Sequence, residues 1–155
     1  MNEVGLLNRR EIEARLLAPL LEALGAEFGM QRVLEITQRV ILEIARQQGV
    51  QLAQSLKAND LEHFAVVHEG WKKDNAIQTE VLELSEKKFS FNVFRCRYAE
   101  MYYHLGIPEL GSLLSCGRDF ALIQGFNPKI RLIRTQTIME GAEICDFRFE
   151  QEPGE

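Results

Sequence analysis

The segment FSFNVFRCRYAEMYYHLGIPELGSLLSCGRDFALIQGFNPKIRLIRTQTIMEGAEICDFRF, Phe89–Phe149, determines the architecture that the sequence predicts. It opens with Phe89, Phe91 and Val93 at every second position, which is typical of a strand. Helical spacing follows, and alternation returns in two later runs. With helices before it, this order predicts an α+β fold, in which N-terminal helices pack on one face of an antiparallel sheet of about four strands and a helix is inserted between the second and third strands.

Three helices are predicted in the first half of the chain. Asn8 is the expected N-cap of the first helix. Pro19 is expected to bend or split this helix, and Gly25 and Gly29 mark its end. A second helix follows, and Asp60 is expected to cap the third.

The second half is predicted to begin with a hairpin of two strands joined by a polar turn. A short helix and a longer one follow, and two strands end the fold. The predicted elements are strands Ala76–Leu84 and Phe89–Cys96, helices Tyr98–Leu105 and Pro108–Gln124, and strands Ile130–Met139 and Glu143–Phe149.

Composition and charge are those of an ordinary globular domain. The chain has 155 residues, 46% hydrophobic and 26% charged. This length and composition predict one domain, 1–155. We expect a helical part (1–73) and a sheet-plus-helix part (74–150), of which the second carries the functional site. The net charge of −5 argues against a nucleic-acid partner, because neutralising phosphates requires a surplus of Lys and Arg on one face.

The N-terminus and the cysteines predict a cytoplasmic protein. Residues 1–10 lack the basic start, apolar core and cleavage site of a signal peptide. No apolar run approaches the roughly 20 residues that span a bilayer. We therefore expect no membrane partner. The chain has 3 cysteines and no C-x-x-C pair, so we expect reduced thiols.

Cys116 and Asp119 are the first candidates for chemistry. They lie three positions apart in a predicted helix and therefore point to one face. A nearby carboxylate raises the pKa of a thiol, so a nucleophilic Cys116 needs a base or cation from elsewhere, such as Arg95, Arg134 or His104. The alternative is a small buried hydrophobic residue, as free cysteines often are.

The other two cysteines are expected to pack. Strand alternation places Arg95 and Arg97 on the face opposite Cys96. Cys145 alternates with Phe147 and is expected to share its buried face. The three thiols, together with His104 or Asp119, are ligand types that a tetrahedral zinc site uses. Their spacing does not call for it, and we expect no metal and no cofactor.

Arg134 falls on the core-facing side of the third predicted strand. An arginine among core-facing residues requires a carboxylate partner, which is either Asp119 or an acidic ligand. On the last strand, Asp146 and Arg148 are expected on the solvated face, pairing with Arg134 or Glu143.

Six linked motifs resemble one known family. In their order they are similar to the L-2-amino-thiazoline-4-carboxylic acid hydrolase family. The motifs lie close together over about the last sixty residues, whereas the first half resembles the family only in its helical character. The motifs are FNVFRCRYAEMY (91–102), LGIPELG (105–111), LSCGRD (114–119), GFNP (125–128), RTQTIMEG (134–141) and CDFR (145–148).

The resemblance implies a hydrolase that opens a cyclic amidine at a C–N bond other than a peptide bond. Water or a thiolate would add to the carbon between nitrogen and sulfur, and an acid would protonate the departing nitrogen. Cys116 and Asp119 are then expected as the nucleophile and as the general acid/base or orienting group. The other implied positions are Arg95 and Arg134 for the substrate carboxylate, Asn92 and Thr137 for hydrogen bonds, and Cys96, Cys145 and Asp146 within the motifs.

A shorter C-terminal pattern, Gly141, Cys145 and Phe147, is similar to 4-vinyl reductase-type small-molecule-binding domains. It implies a rival function, a non-catalytic and commonly dimeric sensor or carrier. An enzyme predicts a polar pocket in which Cys116, Asp119 and an arginine converge. A binding protein predicts an apolar pocket with the cysteines apart, and a scaffold predicts structural ion pairs alone. The apolar stripes of the first two helices bury either against the sheet or against a second copy in a homodimer.

Overall fold

The computed structural model describes residues 4–154. Helices come first, followed by a hairpin, a helical segment and two further strands. The elements are α1 (Leu6–Phe28), α2 (Met30–Leu56), α3 (Leu61–Trp71), β1 (Ile77–Leu84), β2 (Lys88–Cys96), α4 (Arg97–His104), α5 (Pro108–Gly111), α6 (Arg118–Phe126), β3 (Ile130–Ile133) and β4 (Cys145–Gln151).

The four strands form an antiparallel sheet in the order β1-β2-β4-β3. Its covered face is a layer of phenylalanines. Phe91 of β2 stacks on Phe147 of β4 with ring centroids 4.8 Å apart, and Phe64 of α3 packs against Phe149 at 4.8 Å. The predicted α+β fold, with helices on one face and a helical insertion between the second and third strands, is confirmed. Every helix in residues 4–154 is too short or too polar to cross a bilayer.

The predicted cap of α1 is wrong and that of α3 is confirmed. The first helix begins at Leu6, so Asn8 lies inside it and no side chain caps it. Pro19 lies inside α1 without splitting it, because buried apolar side chains before and after it, Ala14 and Leu21, offset the hydrogen bond that proline cannot make. Asp60 caps α3 as predicted, since its carboxylate accepts a hydrogen bond from the backbone N–H of His63 at 2.8 Å.

The third strand ends at Ile133, earlier than predicted. The cause is Asp146 on the neighbouring strand β4. Its carboxylate accepts hydrogen bonds from the backbone N–H groups of Thr135 and Gln136, both at 2.9 Å. These donors therefore do not pair with a strand, and the chain leaves the sheet just before Arg134.

Two glycines bring α2 against α6. A Cβ atom at Gly49 would lie 2.0 Å from the carbonyl oxygen of Leu122, and one at Gly125 would lie 1.9 Å from that of Arg46. No side chain fits at such distances, so the two helix backbones are in direct contact. This contact sets the position of α6 and hence of Asp119.

Gly125→Ala is expected to lower the free energy of unfolding by about 2 kcal/mol or more, because the new methyl group overlaps the Arg46 carbonyl. Gly70→Ala is the matched control: Gly70 lies in α3 with nothing within 4 Å of its Cβ position, and alanine there should stabilise the helix by about 0.5–1 kcal/mol. Urea unfolding followed by circular dichroism measures both. Equal effects of the two substitutions would contradict the close helix contact.

Candidate functional site

A cavity of about 730 Å³ lies between the helices and the covered face of the sheet. The first three helices form one side of it. The sheet contributes Ile77, Val93 and Phe147, and the helical insertion contributes Cys116 and Asp119. A second cleft, of about 780 Å³ between α2, α6 and the edge of the sheet, contains none of the predicted site residues.

Several predicted site residues meet at this cavity. It is lined by Cys96, Cys116, Cys145, Asp119, Arg134 and Thr137. They come from four separate places in the sequence: the end of β2, the helical insertion, the segment after β3 and the start of β4. The fold therefore brings together all three thiols, one carboxylate and one guanidinium group.

The centre of the site is an ion pair between Arg134 and Asp119. Nη1 of Arg134 donates to Oδ2 of Asp119 at 2.7 Å, and Nη2 donates to the backbone carbonyl of Cys116 at 3.0 Å. The guanidinium lies over the rings of Phe120 and Phe147, at 4.9 Å and 5.1 Å from their centroids. The Arg134 side chain is only 7% exposed, so it does face the core, and its protein partner is Asp119.

An irregular helical turn places Cys116 at the cavity. In place of the predicted single helix Pro108–Gln124, α5 and α6 are separated by Ser112–Cys116, which adopts the wider π-helical geometry. Such turns often mark functional sites. Arginine side chains satisfy carbonyls of this turn: Arg134 binds that of Cys116, and Nε of Arg118 donates to that of Leu114 at 2.6 Å. The turn is therefore held by the same cation that binds Asp119.

Asp119 has an environment suited to proton transfer. Burial raises the pKa of its carboxyl group to about 6, although the nearby Arg134 guanidinium lowers it. A group that titrates close to neutral pH is populated in both protonation states. Perturbed carboxyl groups of this kind in cavities are candidates for functional sites.

The thiols are protonated at neutral pH. Burial raises the pKa of Cys116 far above its ordinary value, and Asp119 raises it further. Burial also raises the pKa of Cys96, to about 11, and that of Cys145. Sγ of Cys96 accepts a hydrogen bond from a backbone N–H at the start of α4, and Sγ of Cys145 accepts one from Ile138. Cys96 and Cys145 thus hold local backbone structure beside the cavity.

Thr137 lies at the cavity and also caps a short helix. It is buried, and its Oγ1 accepts a hydrogen bond from the backbone N–H of Glu140 at 3.2 Å. This bond orients the hydroxyl group while leaving its proton available to another acceptor.

Three predicted positions lie away from the cavity. Arg95 is exposed and pairs with Glu100 at 2.9 Å. Asn92 accepts a hydrogen bond from Arg148 at 2.8 Å on the other face of the sheet. Asp146 holds the backbone after β3, so its expected pairing with Arg134 or Glu143 is wrong, because the nearby backbone donors and the Thr135 hydroxyl occupy its carboxylate.

Sequence reasoning missed a buried network beside the cavity. Nη1 of Arg10 donates to both carboxylate oxygens of Glu13, at 3.1 Å and 3.0 Å, and Nη2 of Arg118 reaches the same carboxylate at 3.2 Å. Both arginines are buried and line the cavity. Helical spacing was the sequence signal that could have revealed these arginines. Arg10 is four residues before Ala14, and Arg118 is four residues after Leu114. Ala14 and Leu114 are fully buried, so each arginine lies on the buried face of its helix.

Two further cavity residues were also missed. Tyr98 is buried against the cavity, and its hydroxyl has no hydrogen-bond partner in residues 4–154. Arg9 is half-buried at the cavity, and its one hydrogen bond in the same residues is a long one, 3.5 Å, to the carbonyl of Val4.

The comparison with protein families bears directly on this site. The model of L-2-amino-thiazoline-4-carboxylic acid hydrolase matches residues 9–149. The chain belongs to this family. The match spans both the helical half and the sheet half, so it covers every residue that lines the cavity except Leu6. No curated protein is significantly similar to the chain.

Solved structures share the fold at low sequence identity. One is the phenol-responsive sensory domain of the transcription activator PoxR with phenol, at 10% identity and a TM-score of 0.55, covering 88% of this chain and 73% of that one. Another is a trafficking protein particle complex subunit 3 from Naegleria fowleri covalently bound to palmitic acid, at 9% identity and a TM-score of 0.55, covering 94% and 96%. At these identities the likeness shows the fold alone.

Asp119→Asn is expected to change how stability depends on pH. The folded pKa of about 6 lies above that of an unfolded aspartate, so protonated Asp119 stabilises the fold at low pH, and this contribution is lost as pH rises through 6. Relative to the variant, the wild type should lose about 2 kcal/mol of unfolding free energy between pH 4.5 and pH 7. Urea unfolding at the two pH values measures this difference. The comparison must be made against the variant, because His68, whose pKa burial lowers to about 4, has the opposite dependence.

Asp146→Asn serves as the matched control. Burial raises the Asp146 pKa, but hydrogen bonds from Thr135 and Gln136 outweigh this and lower it overall. Its contribution to stability is therefore present above the unfolded pKa and is lost only at lower pH. Between pH 4.5 and pH 7 the stability difference between wild type and Asp146→Asn should stay nearly constant, and a change as large as that for Asp119→Asn would contradict the assigned environment of Asp119.

Proposed function

We propose that this protein hydrolyses a C–N bond of a small carboxylate-bearing molecule held in the cavity, with Asp119 moving the proton. One observation carries the proposal: a half-buried carboxyl group whose pKa is raised to about 6 lines the cavity, 2.7 Å from a guanidinium group. Membership of the amino-thiazoline-carboxylate hydrolase family supports the same reaction class.

The proposed step needs only water and the substrate. Ionised Asp119 takes a proton from a water molecule as its oxygen adds to the amidine carbon. Asp119 then returns this proton to the departing nitrogen. As the C–N bond breaks, the added hydroxyl loses its own proton to the same nitrogen, which leaves a carbonyl group and an amine. Arg134 opposes the effect of burial on the Asp119 pKa, so that a useful fraction of carboxylate exists at neutral pH.

Cys116 is the alternative attacking group. Its half-buried thiol lines the cavity, as a nucleophile requires. Because burial and Asp119 raise its pKa, little thiolate exists in the resting site. We therefore assign the attack to water and give Cys116 the role of shaping the cavity beside the reacting carbon.

Asp119→Asn is expected to reduce kcat/KM for L-2-amino-thiazoline-4-carboxylate at least about 100-fold, since general acid–base catalysis contributes 10²–10⁴-fold. Cys116→Ala is expected to lower kcat/KM less than about tenfold. The kcat/KM of the wild type should rise with pH through about 6, where Asp119 ionises. Steady-state assays of product release measure all three.

Asp60→Asn is the control, because Asp60 is an exposed helix cap and asparagine caps equally well. Loss of turnover in Cys116→Ala, with Asp119→Asn still active, would contradict the assignment and favour a thiolate nucleophile.

A second function rests on the apolar part of the cavity. Leu52, Leu56, Trp71 and Phe147 all line it, and such a surface suits a sensor or carrier that binds without turnover. A solved neighbour is described as a phenol-responsive sensory domain. Tight binding of a ligand that the wild type never converts would favour this function over hydrolysis.

We also propose that the protein works in the cytoplasm as a homodimer. Its three cysteines are free thiols, as expected in a reducing compartment.

The first two helices form an antiparallel pair joined at Gly29, because the start of α1 and the end of α2 line the same cavity. On this pair, eight large apolar side chains are at least 39% exposed, and Phe28 and Met30 lie at the turn itself. The other six form pairs at equal sequence distances from Phe28: Leu20 with Ile36, Leu16 with Val40, and Ile12 with Ile44. We call these six residues the hairpin ladder.

The hairpin ladder is a row of exposed apolar side chains along both helices, as the core of a dimer interface requires. Leu16→Glu is expected to convert the dimer to a monomer, because it would bury a charge at the centre of the interface. Sedimentation velocity measures the change. Val81→Glu, on the exposed edge strand β1, should leave the dimer intact. Dissociation by Val81→Glu alone would place the interface at the sheet edge instead.

A further inference from the structure

The cavity is much larger than the compound after which the family is named. Its volume of about 730 Å³ is that of sites for drug-sized ligands. An amino-thiazoline carboxylate has roughly nine non-hydrogen atoms and fills only a small part of such a site. The remaining space needs an occupant or solvent, and the nature of its walls decides which is favoured.

Charged and uncharged walls occupy different parts of the cavity. Every charged lining residue comes from α1, α6 or the segment after β3: Arg9, Arg10, Arg118, Asp119 and Arg134. The lining residues of α2 and α3 carry no charge. The α3 side chains are apolar, whereas α2 contributes both apolar and neutral polar groups. The apolar lining residues are Leu52, Leu56, Val66, Val67 and Trp71, and the neutral polar ones are Gln48, Gln51 and Ser55. A ligand that fits both parts is polar at one end and apolar at the other.

The charged end has a positive surplus. Four arginines line it, and two carboxylates, Asp119 and Glu13, pair with Arg134, Arg10 and Arg118. This surplus occurs in a chain whose net charge is −5. Such a local field favours an anionic group on the ligand, and guanidinium groups suit a carboxylate in particular.

An unsatisfied donor lies in the wall of the same end. Tyr98 is 8% exposed and lines the cavity, and its buried hydroxyl has no partner in residues 4–154. Leaving a buried hydroxyl unpaired is costly, and burial raises its pKa to about 12, so it remains a donor. An acceptor atom on a ligand would satisfy it if the side chain turned towards the cavity.

We infer, as an extension of the proposed function, that the natural ligand is amphipathic. Its anionic head, of the carboxylate class, lies among the arginines and accepts a hydrogen bond from Tyr98. Its apolar body extends along α2 and α3 towards Trp71. The amidine or other C–N bond that is hydrolysed would lie close to the head, beside Asp119.

The single tryptophan of the chain makes the inference measurable. Trp71 lines the apolar end, so its fluorescence reports occupancy. The probes are straight-chain carboxylates from butanoate to dodecanoate, used below their micelle concentrations, which the enzyme cannot hydrolyse. We expect Kd to fall about fourfold per added methylene, as burial of each CH₂ predicts, until the cavity is filled. Alkylammonium ions of the same lengths should bind at least about tenfold more weakly.

Two variants separate head from body. Tyr98→Phe should weaken binding of every carboxylate by a similar factor, about tenfold. Val67→Phe should leave short carboxylates unaffected and weaken the longest ones, because it fills the apolar end; Val81→Phe, outside the cavity, is its matched control and should change nothing.

The outcomes distinguish this inference from the proposed function. A Kd that does not depend on chain length, or ammonium ions that bind as tightly as carboxylates, would overturn the amphipathic ligand even if the amino-thiazoline carboxylate is hydrolysed. Equal binding by Tyr98→Phe and the wild type would overturn the assigned head position. If Kd falls with chain length but the amino-thiazoline carboxylate is never hydrolysed, the result supports the amphipathic ligand and contradicts the proposed hydrolase activity.

Discussion

The buried ion pair between Arg134 and Asp119 is the interaction on which the arrangement of the site depends. It joins the segment after β3 to α6, and through the Cys116 carbonyl it also holds the irregular turn before α6. Removing one partner of such a pair leaves an uncompensated buried charge, which typically costs 3–5 kcal/mol. The close contact with α2 sets the position of α6, and the ion pair fixes the segment after β3 relative to α6.

The same pair creates the chemical character of the site. Burial alone would leave Asp119 almost fully protonated, and a nearby cation alone would keep it ionised. With both effects present, its pKa is raised to about 6. Buried ion pairs often stabilise a fold no more than apolar side chains of similar size, so the presence of this pair at the cavity favours a functional role.

The parts of this structure that local patterns determine were predictable. Alternating phenylalanines in β2 and β4 require a sheet with one covered face, and an arginine among core-facing residues requires a carboxylate, which is Asp119. The parts that depend on side chains far apart in sequence were not predictable. Asp146 ends β3 by binding the backbone after it, and Glu13 joins two buried arginines, one of them 105 residues away. Pro19 stays within α1 because tertiary packing overrides local propensity.

Direct observation of the Asp119 proton is the most decisive measurement. Carbon-13 NMR of the side-chain carboxyl groups, with Asp119→Asn used to assign the resonance, gives its pKa in the folded protein. We expect a midpoint near 6. A midpoint at or below 4 would mean that Asp119 is solvated or fully stabilised as the anion, and would contradict the site described above.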